Sequence, residues 1–254
     1  MGDTNGHASA GSKITTAVIL AAGRGTRLRG TLADLPKGFL PLDGVPIVER
    51  SIRKLLEHGV TRILIGTGHL SEAYEQLAGT YPQLECVRND AYASTGSMHT
   101  LSNLQESLAD DFLLLESDLV YERRGLATLL SDEHRDVILA SGRTNSGDEV
   151  YLQVDAALNL VNVSKDASRL GGIHGELVGI TKLSVGTYRH LCAATAGRPG
   201  LDYEQGLAGI ADRHPVFVRK VEDLAWGEID DEAHLQRVLG AVYPEIVKRE
   251  ADEH

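Results

Sequence analysis

An apolar run, TAVILA from Thr16 to Ala21, passes without a spacer into AGRGTRL, Ala22 to Leu28. Consecutive apolar residues are buried on both faces, as in a central parallel strand, and glycines directly after such a strand mark a turn that a phosphate can approach. Ala21, Ala22, Gly23 and Gly25 place no bulky side chain between backbone N–H groups and an anion. The same alternation continues downstream through an amphipathic segment from Ile47 to His58, then RILIG, then Ser71 to Ala78, then LECV, which is a βαβαβ order. In the first amphipathic segment Ile47, Val48, Ile52, Leu55 and Leu56 share a face, and Gly59 supplies a left-handed stop.

FLLLESD is a second run apolar enough for a central strand, and it ends in a carboxylate, Asp118. Beyond Ser141, VYLQV, LNLVNV and GELVGITKL have the shorter, alternating pattern of antiparallel strands. Helices are expected over Val185–Ala196 and Tyr203–Asp212, then a strand at PVFVRKV, then WGEID, and a last helix from Asp231 capped by Asp230 or Asp231.

Two common glycine fingerprints fail. The P-loop ends in Gly-Lys-Ser/Thr where this loop has Gly25, Thr26 and Arg27, and the dinucleotide fingerprint needs a third glycine where Leu28 stands and an acid near Gly66, Thr67 and Gly68. What remains is Arg27 and, further on, Lys37 between Pro36 and Gly38. The net charge of -11 disfavours nucleic acid or an anionic membrane as a partner, so a local basic island is informative. Arg24, Arg27, Arg29 and Lys37 stand against Asp34 alone between positions 24 and 37, which suits a small polyanion.

No apolar stretch approaches the ~20 residues a membrane-spanning helix needs, and Ile14–Ala22 lacks a cleavage site, so a cytoplasmic location is expected. Cys86 and Cys192 belong to no ligand or redox spacing and read as ordinary thiols. The expected organisation is a disordered leader over 1–13, a single domain over 14–242 and a charged C-terminal tail over 243–254. Composition leaves a homodimer open.

From Leu20 to Pro46 the chain resembles the nucleotidyltransferase superfamily that makes nucleotide-activated sugars and alcohols, whose opening motif is LAAGxGxRL, then a Pro-Lys pair and a second proline-containing turn. The resemblance implies an α/β fold: a Rossmann-like three-layer αβα sandwich with a mixed, mostly parallel central sheet and a smaller antiparallel substrate-side sheet. It implies that Leu20, Ala21, Ala22, Gly23, Arg24, Gly25 and Thr26 bind the nucleotide, and that Arg27 and Lys37 act on its triphosphate.

Joining one phosphoryl anion to another requires positive charge between them, which Mg²⁺ supplies when carboxylates hold it beside the phosphates. Asp118 lies where open α/β sheets place ligands, at a strand's carboxyl end, and Asp230 with Glu228 closes WGEID. The resemblance implies Asp118 and a late aspartate as the Mg²⁺ pair, with Asp231 free to cap the last helix if Asp230 does not.

NDAYASTGSMHTL, YEQ and WGEID look more like the phosphocholine and 2-aminoethylphosphonate cytidylyltransferases than the sugar enzymes. That likeness implies CTP, with Asn89, Thr95, Gly96 and Ser97 against the cytidine, and Lys165 near the attacking phosphoryl group of a small phosphonate or phosphate acceptor. Glu176, Asp202, Tyr203 and Glu204 are the groups available to an acceptor ammonium, and an aromatic content of 5% argues for a primary amine or hydroxyl over quaternary choline. Competing readings are a sugar-1-phosphate nucleotidyltransferase using UTP or dTTP and a silent regulatory homologue that only binds nucleotide. A dinucleotide oxidoreductase is disfavoured by the missing glycine and acid.

Overall fold

The computed structural model describes residues 13–28 and 35–252. In chain order the elements are β1 (Thr16–Ala21), β2 (Pro41–Leu42), β3 (Val45–Pro46), α1 (Ile47–Glu57), β4 (Arg62–Thr67), α2 (Ser71–Ala78), β5 (Leu84–Arg88), α3 (Ser97–Ser102) and β6 (Phe112–Glu116). Then come β7 (Leu119–Tyr121), α4 (Arg124–Ser131), β8 (Val137–Ser141), β9 (Tyr151–Val154), β10 (Leu160–Ser164), β11 (Gly175–Leu183), α5 (Val185–Thr195) and α6 (Tyr203–Ile210). The chain ends with β12 (Phe217–Val221), β13 (Trp226–Glu228), α7 (Glu232–Arg237) and α8 (Tyr243–Asp252).

A nine-stranded mixed sheet runs β10-β9-β11-β6-β1-β4-β5, with β8 paired to β11 and β12 to β8. β1, β4, β5 and β6 are mutually parallel neighbours, and the antiparallel strands β9, β10 and β11 extend the sheet beyond β6. A small antiparallel sheet pairs β13 with β7. The period of two along a strand divides the core. Ala17, Ile19 and Ala21 of β1 face one cluster with Val48, Ile52 and Leu55 of α1, whereas Val18 and Leu20 face another with Leu101 of α3, Tyr188 of α5 and Leu207 of α6. The result is the three-layer αβα sandwich.

Why α1 starts and stops where it does is local. Pro46 precedes it with a preset φ of -54°, and Gly59 ends it at a φ of +86°, donating its N–H to the Leu56 carbonyl. The chain visits β1, β4 and β5 on one side, then returns to β6 on the other side of β1. That reversal leaves a crevice at the carboxyl ends of β1 and β6, where Leu20 lies opposite Glu116 and the Ser117 N–H donates to the Leu20 carbonyl at 3.1 Å. β13 is drawn to the same place, since Glu228 pairs with Leu119 and the Ile229 N–H donates to the Asp118 carbonyl.

One boundary differs from expectation. Residues 243–252, expected as a charged tail, form α8, because Ile246 is buried at 3% exposure and Glu250 accepts from Lys54 at 2.7 Å. The expected leader lies outside the described residues except for Lys13. Among the described residues no helix is long and apolar enough to cross a membrane, and Cys86 and Cys192 are free thiols.

Candidate active site

A cavity of about 630 Å³ opens in the crevice. Its floor is the glycine loop: Leu20, Ala21, Ala22, Gly23, Arg24 and Gly25 all line it. Gly25 sits at a φ of +58°, a left-handed conformation that glycine tolerates, and a Cβ there would meet the Lys37 side chain at 3.1 Å. Lys37 is held over the loop by a short turn, Lys37–Phe39, after Pro36. Arg29 and Asp34, with the side chain of Thr26, lie outside the described residues.

The carboxylates converge from distant parts of the chain. Glu116, Asp118 and Glu228 offer oxygens within 4.8 Å of one another, an all-oxygen set of the kind that hard divalent cations take. Glu116 ends β6, and in extended chain it points to the same side as Asp118 two residues later. Sequence reasoning missed it, although an acid closing the apolar run FLLLE is a visible cue. Asp230 stands beside the trio rather than in it. Lys37 donates to both Asp118, at 3.2 Å, and Asp230, and Arg27 approaches Asp230 at 3.3 Å. Asp231, not Asp230, caps α7 by accepting from the His234 N–H, which leaves the Asp230 side chain to the cations.

Burial first and neighbouring charge second explain the titration of this cluster. Burial, then the neighbouring Asp118 charge, pushes Glu116 up to about 8. Burial, then Asp118 and Glu116, pushes Glu228 up to about 10, and burial raises Asp118 against the opposing pull of Lys37. Lys37 moves upward because Asp118 and Asp230 together outweigh its burial. Raised carboxyls bind protons more tightly folded than unfolded, so their contribution to stability is complete below the unfolded value of about 4.3 and is lost as pH rises through the folded values. The melting temperature of the ligand-free protein is therefore expected to fall between about pH 5 and pH 8, where Glu116 and Glu228 ionise in the unfolded chain first. Calorimetry across that interval checks this, and a rising melting temperature contradicts it.

Thr95, Gly96 and Ser97 line the same cavity as the glycine loop. Asn89 does not; it is 1% exposed and shapes the turn from behind, donating to Thr95 Oγ1 at 2.9 Å and Thr100 Oγ1 at 3.0 Å. Ser97 is the first residue of α3. Its N–H and hydroxyl donate to Asp202 Oδ1, both at 3.2 Å, while its hydroxyl accepts from the Tyr203 N–H at 3.0 Å, so α3 and α6 cap each other reciprocally. Asp202 is thus partly committed to that turn. Gly96 packs so closely that a Cβ would lie 2.3 Å from the Leu201 carbonyl oxygen. Gly96→Ala is expected to cost about 1–3 kcal/mol through overpacking, read as a lower denaturant midpoint, and an unchanged midpoint would refute the close approach.

Lys165, Glu204, Asp202 and Trp226 also line the cavity. Burial, then Asp202, pushes Glu204 up to about 7. Two expected substrate contacts lie elsewhere. Glu176 is 2% exposed and spends its carboxylate on the Thr144 N–H at 2.9 Å, and Tyr203 is 1% exposed within the core, so neither is on the cavity wall. Alternation along a strand or helix start did not reveal which way these side chains point. Arg237 and His234 of α7, and Asp148 in the 142–150 loop, line the cavity without having been read from the sequence.

The model of the MobA-like NTP transferase domain family matches residues 17–239. The chain belongs to that family. Among its relatives, CMP-5'-(3-aminopropyl)phosphonate synthase from Streptomyces rubellomurinus is 29% identical over 85% of the chain and 37% of its own length. Choline-phosphate cytidylyltransferase from Streptococcus pneumoniae is 36% identical over 39% of the chain and 42% of its own length. These alignments span well under half of either relative. Among solved structures, the inositol-1-phosphate CTP transferase from T. maritima superposes with a TM-score of 0.80 at 20% identity, covering 92% of this chain and 97% of that one. CTP:phosphocholine cytidylyltransferase from Streptococcus pneumoniae gives 0.74 at 22% identity, covering 89% and 99%. At those identities the superpositions establish the Rossmann-like nucleotidyltransferase fold.

Proposed function

We propose that this NTP transferase is a cytoplasmic cytidylyltransferase that moves CMP from CTP to a small phosphonate or phosphate bearing an amine or hydroxyl head group. The observation that carries the proposal is the meeting of Arg27 and Lys37 from the start of the chain with Asp118 and Glu228 from its middle and end around one cavity. The cytidylyltransferases among its relatives support the choice of CTP.

In this reaction an oxygen of the acceptor's phosphonate or phosphate forms a bond to the α-phosphorus, and the bond from that phosphorus to the bridging oxygen breaks, with its electrons leaving on pyrophosphate. The attacking oxygen is ionised near neutral pH, so no general base is required. Lys37 and Arg27 hold the triphosphate over the glycine loop, and Lys165 offsets the charge of the incoming acceptor. Glu116, Asp118 and Glu228, with Asp230 close by, would hold Mg²⁺. When bound, it supplies positive charge that the developing phosphoryl oxygens need. The Thr95–Ser97 turn seats the cytidine through its backbone.

A primary ammonium can donate charge-assisted hydrogen bonds to Glu204 and Asp202, both on the cavity wall, whereas a trimethylammonium cannot. Pyrophosphate release from CTP is therefore expected to be about tenfold faster with 2-aminoethylphosphonate than with phosphocholine at equal concentration. Faster turnover of phosphocholine reverses that ranking.

A further inference from the structure

The loop of residues 142–150, between β8 and β9, lines the cavity with Thr144, Ser146, Asp148, Glu149 and Val150, yet it has no part in the chemistry above. Its course is pinned. The Thr144 N–H donates to buried Glu176, the His234 ring meets the Ser146 carbonyl at 3.2 Å, and Asn145 and Gly147 turn the backbone at φ values of +53° and +100°. This support delivers one carboxylate, Asp148, to a defined point. Its Oδ2 accepts from Arg27 Nη1 at 3.0 Å and its Oδ1 accepts from Lys165 Nζ at 2.7 Å.

Those two cations come from opposite sides of the reaction, since Arg27 follows the donor's glycine loop and Lys165 follows β10 on the acceptor side. Burial does not hold either of them: their side chains are 54% and 59% exposed. Long exposed side chains lose much of their aim through rotamer freedom, and transfer between two anions is sensitive to that aim.

We propose that Asp148 is a positioning residue, a carboxylate clasp that ties Arg27 to Lys165 and sets the separation at which donor and acceptor anions are received. The inference rests on the cytidylyltransferase reading of this cavity. As an anion, Asp148 also competes with phosphate oxygens for both cations. Its removal therefore lowers turnover without weakening anion binding, a combination that neither a substrate contact nor a structural residue produces.

The test compares wild type, Asp148→Asn and Asp148→Glu by steady-state pyrophosphate release from CTP and 2-aminoethylphosphonate with Mg²⁺, and by calorimetric titration with inorganic pyrophosphate. Asp148→Asn is expected to lower kcat about 10- to 100-fold with little change in either KM, while binding pyrophosphate at least as tightly as wild type. Asp148→Glu is expected to recover most of the lost kcat. A kcat for Asp148→Asn within about twofold of wild type, a raised acceptor KM at unchanged kcat, weaker pyrophosphate binding or no recovery by glutamate overturns the clasp. If Asp148→Asn does not fold, Asp148→Ser replaces it in both measurements. If wild type turns over no acceptor, the cytidylyltransferase reading fails, and the pyrophosphate titration alone decides whether Asp148 competes for Arg27 and Lys165.

Discussion

Asp118→Ala is expected to reduce pyrophosphate release by about 10³-fold, the scale seen when a charge-stabilising group is taken from a water-poor site. Asp118 groups with Glu116 and Glu228 and also accepts from Lys37, so it links the acidic trio to that ammonium. Its loss should not unfold the protein. The three acids repel one another, Asp118 raises the titration of both glutamates, and Lys37 keeps Asp230 as a partner. The variant is therefore expected to melt no lower than wild type while losing turnover. Near-normal activity in a folded Asp118→Ala protein contradicts the assignment.

Lys37→Met should lose turnover by about 10²- to 10³-fold and, unlike Asp118→Ala, should lose stability as well. The ammonium neutralises Asp118 and Asp230, which are 9% and 4% exposed, and removing one partner of a buried ion pair costs about 3 kcal/mol or more. In a chain of this length that is roughly 6–12 °C in melting temperature. The two variants thus separate catalysis from packing: both impair the same step, but only the lysine holds like charges together. Kinetics with thermal melts on the purified variants checks both halves. A Lys37→Met protein that melts like wild type would show that the acids are kept apart by something else.

How much of this was legible in the residues depends on whether a function needed a pattern or only a position. The glycine loop and Asp118, which the fold brings to one cavity with Arg27 and Lys37, could be picked out because β1 and β6 are apolar almost to their ends and run directly into them. Both strands, the order of helices between them and the antiparallel strands beyond Ser141 followed from periodicity. The helical end of the chain did not, since Ile246 alone supplies the buried anchor in α8 and its charged neighbours hide it. The reciprocal capping of Ser97 and Asp202 joins residues 105 positions apart, and local sequence carries no trace of such a pairing. Asp148 lies in a polar, turn-rich stretch, where nothing distinguishes one acid from another until folding sets it between Arg27 and Lys165. Glu176 shows the converse: a carboxylate in the right region turned out to be spent on the backbone of that same stretch.

The most direct test is ³¹P NMR of the reaction products. With CTP, 2-aminoethylphosphonate and Mg²⁺, the account predicts loss of the triphosphate signals with matching growth of pyrophosphate and of a phosphonate–phosphate anhydride carrying CMP. CTP left intact with every phosphonate and phosphate acceptor, while UTP or dTTP is consumed with glucose-1-phosphate, would contradict it.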